Sequence, residues 1–527
     1  MYYIIIVLLT FIQTLWTVIP MDFPVSSMSL ALVRVLCNYL LAAMILFSPL
    51  LFTHKRRWTY IVSVLLDVWF IGNLIYFRSY GDVLNRWCLE STGNMNGLWT
   101  SILPFIHASD LVFIVITAIW IVVSECFTLP HLISHLGKRA GAALCCACLL
   151  FVPQAVTSYK TEMPVSPFAR YYDDVSMGRM WYIYTYGPIA HFGNETINWI
   201  RNEETPAQEV TTSEITPYLQ PTNESVHDCG NVLFVLFESL EDWVLGLQVG
   251  GEEVTPNLNR LAAHPMAGSY AMIAQVKQGK SSDARLICLN GLLPIYNGAT
   301  AMRYAANTYP SWVISIPAAT KQCFTSSDIH IWNQERNTYA YGFDSLFAAT
   351  VSDGVLIDAV MHSVETAERP FVLATYTMAS HAPFIEYADS AALPKCTAYD
   401  EEKTRYLNCV HYTDSVLGKL IDAIINDHEL AATTRIIILG DHPIFTLYTP
   451  VPFILYDPYE APAKVSRTLY QMDIYTTMVD RLQLATTWRG LGRNIADTCA
   501  YSDDELQKLE LLSDRLIRTD YFAKKTK

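Results

Sequence analysis

A short stretch, Gln278-Gly279-Lys280-Ser281-Ser282-Asp283-Ala284-Arg285, gathers hydroxyls, cations and a carboxylate in one place. A glycine there allows a tight backbone, and a lysine beside a serine favours the ionised hydroxyl. A serine activated in this way can attack a phosphorus or sulfur centre. The same residues would also compose an ordinary polar loop with an N-cap serine, so the chemistry depends on what accompanies them. Two other places supply metal ligands. The apolar run over 232–237 ends in Glu238, and Ile436-Ile437-Ile438-Leu439 runs through Gly440 into Asp441-His442. Singly, Glu238 reads as a helix-start acid and Asp441-His442 as a turn. Together, two carboxylates and an imidazole form the mixed oxygen and nitrogen set that zinc or manganese accepts. Ser281, as an alkoxide, would complete a four-ligand site. A divalent ion touching that oxygen would lower its pKa and neutralise a phosphoryl oxygen.

These residues need a scaffold that brings distant segments to one edge. The run Val232-Leu233-Phe234-Val235-Leu236-Phe237 is apolar throughout, as for a strand buried on both faces. Further strands are expected at 312–316, 371–376, 435–439 and 451–456. Helices are expected from Thr255-Pro256, over 355–368 and 406–426, and at 502–518. Alternating strands and helices predict an α/β domain with a largely parallel central sheet, whose ligands gather at the carboxyl ends of the strands.

The remainder of the 527 residues is of a different kind. Hydrophobic residues make up 52% of the chain, and the long apolar runs lie before residue 157. Segments 2–19, 35–52, 58–77, 102–123 and 140–156 are each about long enough to cross a bilayer as a helix. The apolar run starts at Tyr2 with no basic residue before it, so no cleavable signal peptide is expected. Asp67 lies inside the third span, where a carboxylate faces a bundle interior, and Asp110 lies near the start of the fourth. His54-Lys55-Arg56-Arg57 and Lys138-Arg139 belong on the cytoplasmic side. Five spans then put the N-terminus inside and everything after about residue 157 outside. The expected organisation is a five-helix transmembrane domain over 1–157, an interfacial and linker segment over 158–229 and a catalytic domain over 230–527. A formal net charge of −14 argues against a nucleic-acid partner. Cys229, Cys288, Cys323, Cys396, Cys409 and Cys499 in the outer domain permit disulfides without fixing a pairing.

The C-terminal part resembles the alkaline phosphatase/sulfatase superfamily, and specifically the lipoteichoic acid synthase-like phosphoglycerol transferases. The resemblance is carried by Asn231 to Ser239, Thr255-Pro256-Asn257-Leu258, Gly279-Lys280-Ser281-Ser282-Asp283, Gly342-Phe343-Asp344 and Gly440-Asp441-His442. The five spans and the outer Ile75-Tyr76-Phe77-Arg78 segment fit that family's membrane part. The resemblance implies a bacterial cytoplasmic-membrane enzyme with its C-terminal domain outside. It would move glycerol phosphate from phosphatidylglycerol, through a covalent ester on Ser281, to an envelope glycan, glycolipid or polymer. Glu238, Ser281, Asp441 and His442 would hold one divalent ion, manganese, with zinc or magnesium as alternatives. His381 matches a pocket histidine, and Trp332-Asn333 matches the start of a headgroup contact. Lys280 or Arg285 would offset the phosphate charge. The chain departs from the family in four places: Ser281 replaces a threonine; Gln334 stands where the family has arginine, with Arg336 two positions on; Thr325 falls where a pocket histidine is expected, with His330 nearby; and the stretch after Asp441-His442 is short before Val451-Pro452-Phe453. The rival readings are a phosphoethanolamine transferase, a sulfatase-type hydrolase and a non-catalytic membrane scaffold. Against a sulfatase, Asp283 replaces the proline that its signature needs.

Overall fold

A computed structural model describes residues 1–21, 30–53, 55–80, 83–85, 88, 102–128, 135–161, 176–201, 207–220, 229–296, 298–304, 309–328, 331–385, 392–394, 397–445 and 449–525. His330 and Cys396 lie outside the described residues. The chain divides into two compact units, one of residues 1–89 and 102–205, the other of residues 90–101 and 206–527.

The first unit is helical: α1 (Tyr2–Val18), α2 (Leu30–Phe47), α3 (Trp58–Tyr80), α4 (Leu111–Cys126), α5 (Leu136–Thr161) and α6 (Ser176–Arg201). Among the described residues, four helical stretches are long and apolar enough to cross a membrane: Tyr2–Met21, Leu32–Leu51, Trp58–Ser79 and Ala108–Cys126. Helix α5 covers the fifth expected span but is not among these four; it carries Lys138-Arg139 near its start and Pro153 inside. Several polar groups in this unit pair across helices, as an environment without water favours. Gln13 Nε2 donates to Asp67 Oδ1 at 2.8 Å and to the Phe113 carbonyl at 3.2 Å, linking α1, α3 and α4. Arg78 makes a two-pronged ion pair with Asp110, at 2.8 Å for each bond. Helix α6 breaks at Gly187, where φ is 87°, just before Pro188. Proline has no N–H for the Tyr184 carbonyl, and the Tyr39 hydroxyl donates to that oxygen instead, at 2.7 Å. Asn38 serves the Thr185 carbonyl at 2.9 Å and Trp69 the Pro188 carbonyl at 2.9 Å.

The second unit is built on an eight-stranded sheet. Its strands are β1 (Asn231–Phe237), β2 (Ala267–Ile273), β3 (Thr320–Thr325), β4 (Ser345–Ala348), β5 (Phe371–Tyr376), β6 (Thr434–Gly440), β7 (Val451–Tyr456) and β8 (Leu469–Tyr470). Their order across the sheet is β8-β2-β7-β6-β1-β5-β3-β4. Only β7 runs against its neighbours. The strand β1 is buried along its whole length, between β5 and β6. Helices α7 (Pro256–Ala262), α8 (Ser281–Asn290), α9 (Asp353–Thr366), α10 (Glu401–Ile425), α11 (Asp473–Arg481) and α12 (Asp503–Arg518) accompany the sheet.

One expected strand is a helix. Residues 312–315 turn helically because Ser311 caps Val313 N at 3.1 Å and Trp312 Nε1 reaches the Cys288 carbonyl at 3.0 Å. Strands β2, β3 and β4 carry polar or exposed residues and lack the apolar runs that mark the central strands. Cys288 and Cys323 are buried free thiols.

Candidate active site and metal centre

Register brings the candidate metal-binding residues together. In the parallel pair β1–β6, Phe237 lies opposite Gly440, so the residues that follow, Glu238 and Asp441, leave the sheet side by side. Asp441 N donates to the Phe237 carbonyl at 3.1 Å, which extends the pairing by one step. Gly440 admits no side chain, because a Cβ would meet the Leu240 carbonyl. Asp441 Oδ1 accepts from the amides of Ser239 and His442, each at 2.7 Å. These two hydrogen bonds fix the carboxylate and tie the two strand ends together. Ser239 adopts φ of 52°, an uncommon conformation for a residue with a side chain, directly after Glu238. Ser239 Oγ in turn donates to Glu238 Oε1 at 2.9 Å, and Thr377, after β5, accepts from Glu238 N at 3.0 Å.

His442 Nδ1 lies 3.1 Å from the Pro443 carbonyl, so that nitrogen carries the proton. Nε2 is left with its lone pair, 3.5 Å from Glu238 Oε1 and 3.8 Å from Asp441 Oδ2.

Ser281 enters from the other direction, as the first residue of α8. Its Oγ donates to Glu238 Oε2 at 3.0 Å and lies 3.4 Å from His442 Nε2. The tight backbone before it belongs to Lys280, whose φ is 46°, and the glycine has a different task. Asp283 Oδ2 accepts from Lys277 N and Gly279 N, each at 2.9 Å, and its carboxylate fills the place of a Gly279 side chain. Asp283 thus folds the loop back onto the helix that follows it and holds Ser281 forward. Burial raises the Asp283 pKa to about 6, against the lowering effect of the amides of Lys277 and Gly279 and the charges of Lys277 and Lys280.

The charges point to a cation. One ligand atom from each of Glu238, Asp441 and His442 lies within 4.8 Å of the others, and all three residues are buried. Burial, and then the neighbouring Asp441 charge, push the Glu238 carboxyl well up; His442 and the Ser239 hydroxyl offset this only in part. Two buried carboxylates facing one another are stable as anions only when a positive charge joins them. Two hard oxygens, an imidazole nitrogen and a serine oxygen suit zinc or manganese, so the residues present fit a divalent ion.

The other expected residues lie on several different segments. His381 lies on the loop after β5, whose Ser380 hydroxyl donates to the Glu238 carbonyl. Its Nδ1 faces the Ala382 carbonyl at 2.7 Å; burial lowers its pKa, while that carbonyl and the Asp441 charge work the other way. Lys280 adjoins Ser281. Arg285 lies one turn along α8, its guanidinium 4.1 Å from the Tyr376 ring centroid. Trp332 and Asn333 both adopt positive φ, at 55° and 49°. Asn333 Nδ2 and Arg336 Nη2 reach the Ala301 carbonyl, at 3.2 and 3.4 Å, so both side chains grip the 301–304 segment. Gln334 is buried and accepts from Ser327 at 3.0 Å.

Three positioning roles escape a reading of the sequence. Asp353, at the start of α9, accepts from the amides of Met378 and Ala379, at 2.8 and 3.1 Å, and from the Thr413 hydroxyl at 2.7 Å. It anchors the His381 loop, yet in sequence it looks like a helix-start acid. Glu241 accepts from Ile444 N and Phe445 N, at 2.9 and 3.0 Å, and holds the segment after His442. Asp283 was visible as part of the Gly279-to-Asp283 motif, but its hold on the amides of Lys277 and Gly279 was not.

Comparison with known proteins places both units. Residues 1–187 match the lipoteichoic acid synthase N-terminal domain, and residues 230–484 match the sulfatase family. Lipoteichoic acid synthase 1 of Bacillus subtilis (strain 168) is 24% identical over 433 residues, covering 76% of this chain and 66% of that protein. Lipoteichoic acid synthase of Staphylococcus aureus (strain NCTC 8325 / PS 47) is 22% identical over 442 residues, covering 78% of this chain and 67% of that protein. The chain therefore spans just under two thirds of the length of the Bacillus relative. Among solved structures, the integral membrane lipooligosaccharide phosphoethanolamine transferase A from Neisseria meningitidis aligns with a TM-score of 0.51 at 12% identity, over 92% of this chain and 97% of that one. The lipoteichoic acid synthase LtaP from Listeria monocytogenes aligns over 60% of this chain and 98% of that one, with a TM-score of 0.47 at 17% identity.

Proposed function

Because the chain belongs to the lipoteichoic acid synthase-like branch of the alkaline phosphatase/sulfatase superfamily, we propose that it is a metal-dependent phosphoglycerol transferase of the bacterial envelope. The donor is a phospholipid, phosphatidylglycerol, and the acceptor is a hydroxyl of an envelope glycan, glycolipid or growing polymer. The observation that carries this reading is the position of Ser281 Oγ, at hydrogen-bond distance from Glu238 at the head of α8. A nucleophile at a helix N-terminus meets an anionic phosphate where backbone N–H groups and the helix dipole favour it.

Glu238, Ser281, Asp441 and His442 would hold one divalent ion. When bound, it supplies the positive charge that favours the Ser281 alkoxide and the transferring phosphate. We assign manganese, and zinc or magnesium fits the same donors.

Ser281 Oγ attacks the headgroup phosphorus; the bond to the diacylglycerol oxygen breaks, and diacylglycerol leaves with a proton from solvent. The glycerol phosphate is then an ester of Ser281. Burial keeps His381 as the free base near neutral pH, so it can take the proton of the acceptor hydroxyl as that oxygen attacks the phosphorus. The Ser281–phosphorus bond breaks, the serine oxygen is regenerated, and His381 returns its proton to solvent. Lys280 offsets phosphate charge beside the nucleophile. The basic residues Lys55, Arg56 and Arg57, with Lys138 and Arg139, put the N-terminus in the cytoplasm. With α5 as a fifth crossing, the catalytic unit faces the outside, where acceptors of this kind lie.

The test is diacylglycerol release from liposomes of phosphatidylglycerol and phosphatidylethanolamine by the full-length protein with Mn²⁺. Release from phosphatidylglycerol is expected, and release from neither lipid would sink the transferase reading.

A further inference from the structure

Past the ends of β1 and β6, three backbone carbonyls are held by side chains from other segments. Ser380 Oγ, on the loop after β5, donates to the Glu238 carbonyl. Tyr406 Oη, on α10, donates to the Ser239 carbonyl at 2.8 Å. Gln471 Nε2, directly after β8, donates to the Asp441 carbonyl at 2.6 Å. All three side chains are fully buried.

These carbonyls matter because of what the same peptide groups carry at their other ends. The Glu238–Ser239 peptide offers Ser239 N, and the Asp441–His442 peptide offers His442 N. Those are the two amides that hold Asp441 Oδ1. A peptide group is planar, so fixing its carbonyl also aims its N–H. Ser380 therefore aims one donor at Asp441, and Gln471 aims the other. Gln471 is fixed in turn: its Oε1 accepts from Gln275 N at 3.2 Å, and its N–H donates to the Ile273 carbonyl at 3.0 Å.

Tyr406 braces the strained step beside Glu238. Its hydroxyl also accepts from Glu241 N at 3.2 Å, so one oxygen closes the turn from Ser239 to Glu241. Ser239 has φ of 52°, a conformation that persists only where its surroundings over-determine it. Ser239 gives its Oγ to Glu238 and its N–H to Asp441, so its backbone angle bears on both carboxylates. The Tyr406 ring packs edge-on against Phe384 and Phe445, with centroids 5.5 and 5.1 Å away. Those two rings stand on the segments that follow His381 and His442.

Two buried carboxylates repel one another, and loose strand ends would let them part before a cation arrives. We propose that Ser380, Tyr406 and Gln471 are positioning residues of the metal centre, which grip the backbone carrying Glu238 and Asp441 and so keep the two carboxylates together. Each acts through a carbonyl and not through a ligand atom. Their contribution is to metal affinity, since the ion then meets carboxylates already in place. This rests on the metal dependence proposed above.

The experiment is a Mn²⁺ titration of the full-length, metal-free protein, with unbound ion followed by its electron paramagnetic resonance signal. Ser380→Ala, Tyr406→Phe and Gln471→Met each delete one grip and should each weaken Mn²⁺ binding by about tenfold or more. Tyr456→Phe is the control. It deletes the hydroxyl of a buried tyrosine that donates to the Ala431 carbonyl at 2.7 Å, at the end of β7 that pairs with Ile436, away from Asp441. That variant should lose stability and keep the wild-type Kd, because the ion binds the folded state and a folded protein's affinity does not follow its margin of stability. Circular dichroism and Tm establish which variants fold; if Tyr406→Phe and Gln471→Met do not, Ser380→Ala, the smallest deletion, decides. Folded variants with the wild-type Kd, or an equal loss of affinity in Tyr456→Phe, overturn the proposal and leave the metal centre standing. A wild type that binds no Mn²⁺ overturns the metal centre and the proposal with it.

Discussion

Ser281→Ala should abolish headgroup transfer, with diacylglycerol release falling by at least about 10⁴-fold. Such a loss is diagnostic because the structure predicts little else from the change. Among the described residues, Ser281 Oγ has hydrogen-bond partners only in Glu238 and His442. The loop itself is held by Asp283 on the amides of Lys277 and Gly279, and by Ser282 Oγ on the Gly279 carbonyl at 2.6 Å. Alanine leaves all of these in place, so Tm should stay within a few degrees of wild type. Ser281→Thr keeps the hydroxyl on the same carbon and should keep substantial activity. Initial rates and thermal unfolding of the three proteins check this. An alanine variant with more than about one hundredth of wild-type activity would be inconsistent with a serine nucleophile.

Removal of the divalent ion should cost activity by about 10³-fold or more and should also loosen the fold. Without a cation, burial and then the neighbouring Asp441 charge push the Glu238 carboxyl up. Saturating metal at about a hundredfold excess over Kd would add about 2.7 kcal/mol of stability. Chelation followed by Mn²⁺ addition should therefore raise Tm and restore activity together. Glu238→Gln separates the two effects. It removes a ligand and the repulsion at once, so the metal-free variant should be at least as stable as metal-free wild type, yet inactive and without a metal-induced rise in Tm. A Glu238→Gln protein that gains as much Tm from Mn²⁺ as wild type would place the metal elsewhere.

The legible parts of this chain are those where burial leaves a simple mark. Strands β1, β5 and β7 are continuous apolar runs because both faces are covered, and their bounds could be drawn from the sequence. Glu238 and Asp441-His442 stood out because each interrupts or ends such a run with a charged group. The parallel register that sets Phe237 opposite Gly440 then brings the two carboxylates together. Less legible are elements whose identity depends on tertiary partners. Residues 312–315 have strand-like composition but form a helix because Ser311 and the Cys288 carbonyl claim their polar groups. Strand β3 reads Thr-Lys-Gln-Cys-Phe-Thr, polar enough to pass for a loop. The same holds at the site. Asp283, Asp353 and Glu241 act through backbone amides brought near by folding, at spacings no local pattern reveals. Gly279 was assigned the tight turn, but Lys280 takes the strained φ, and the glycine yields its side-chain volume to Asp283.

The most direct measurement is the mass of the peptide that contains Ser281. Full-length protein with Mn²⁺ is incubated with phosphatidylglycerol in the absence of acceptor, quenched in acid, digested and weighed. A glycerol phosphate ester on Ser281, missing from Ser281→Ala, is the predicted result. Diacylglycerol release with an unmodified Ser281, or a glycerol phosphate adduct on another residue, would contradict the account.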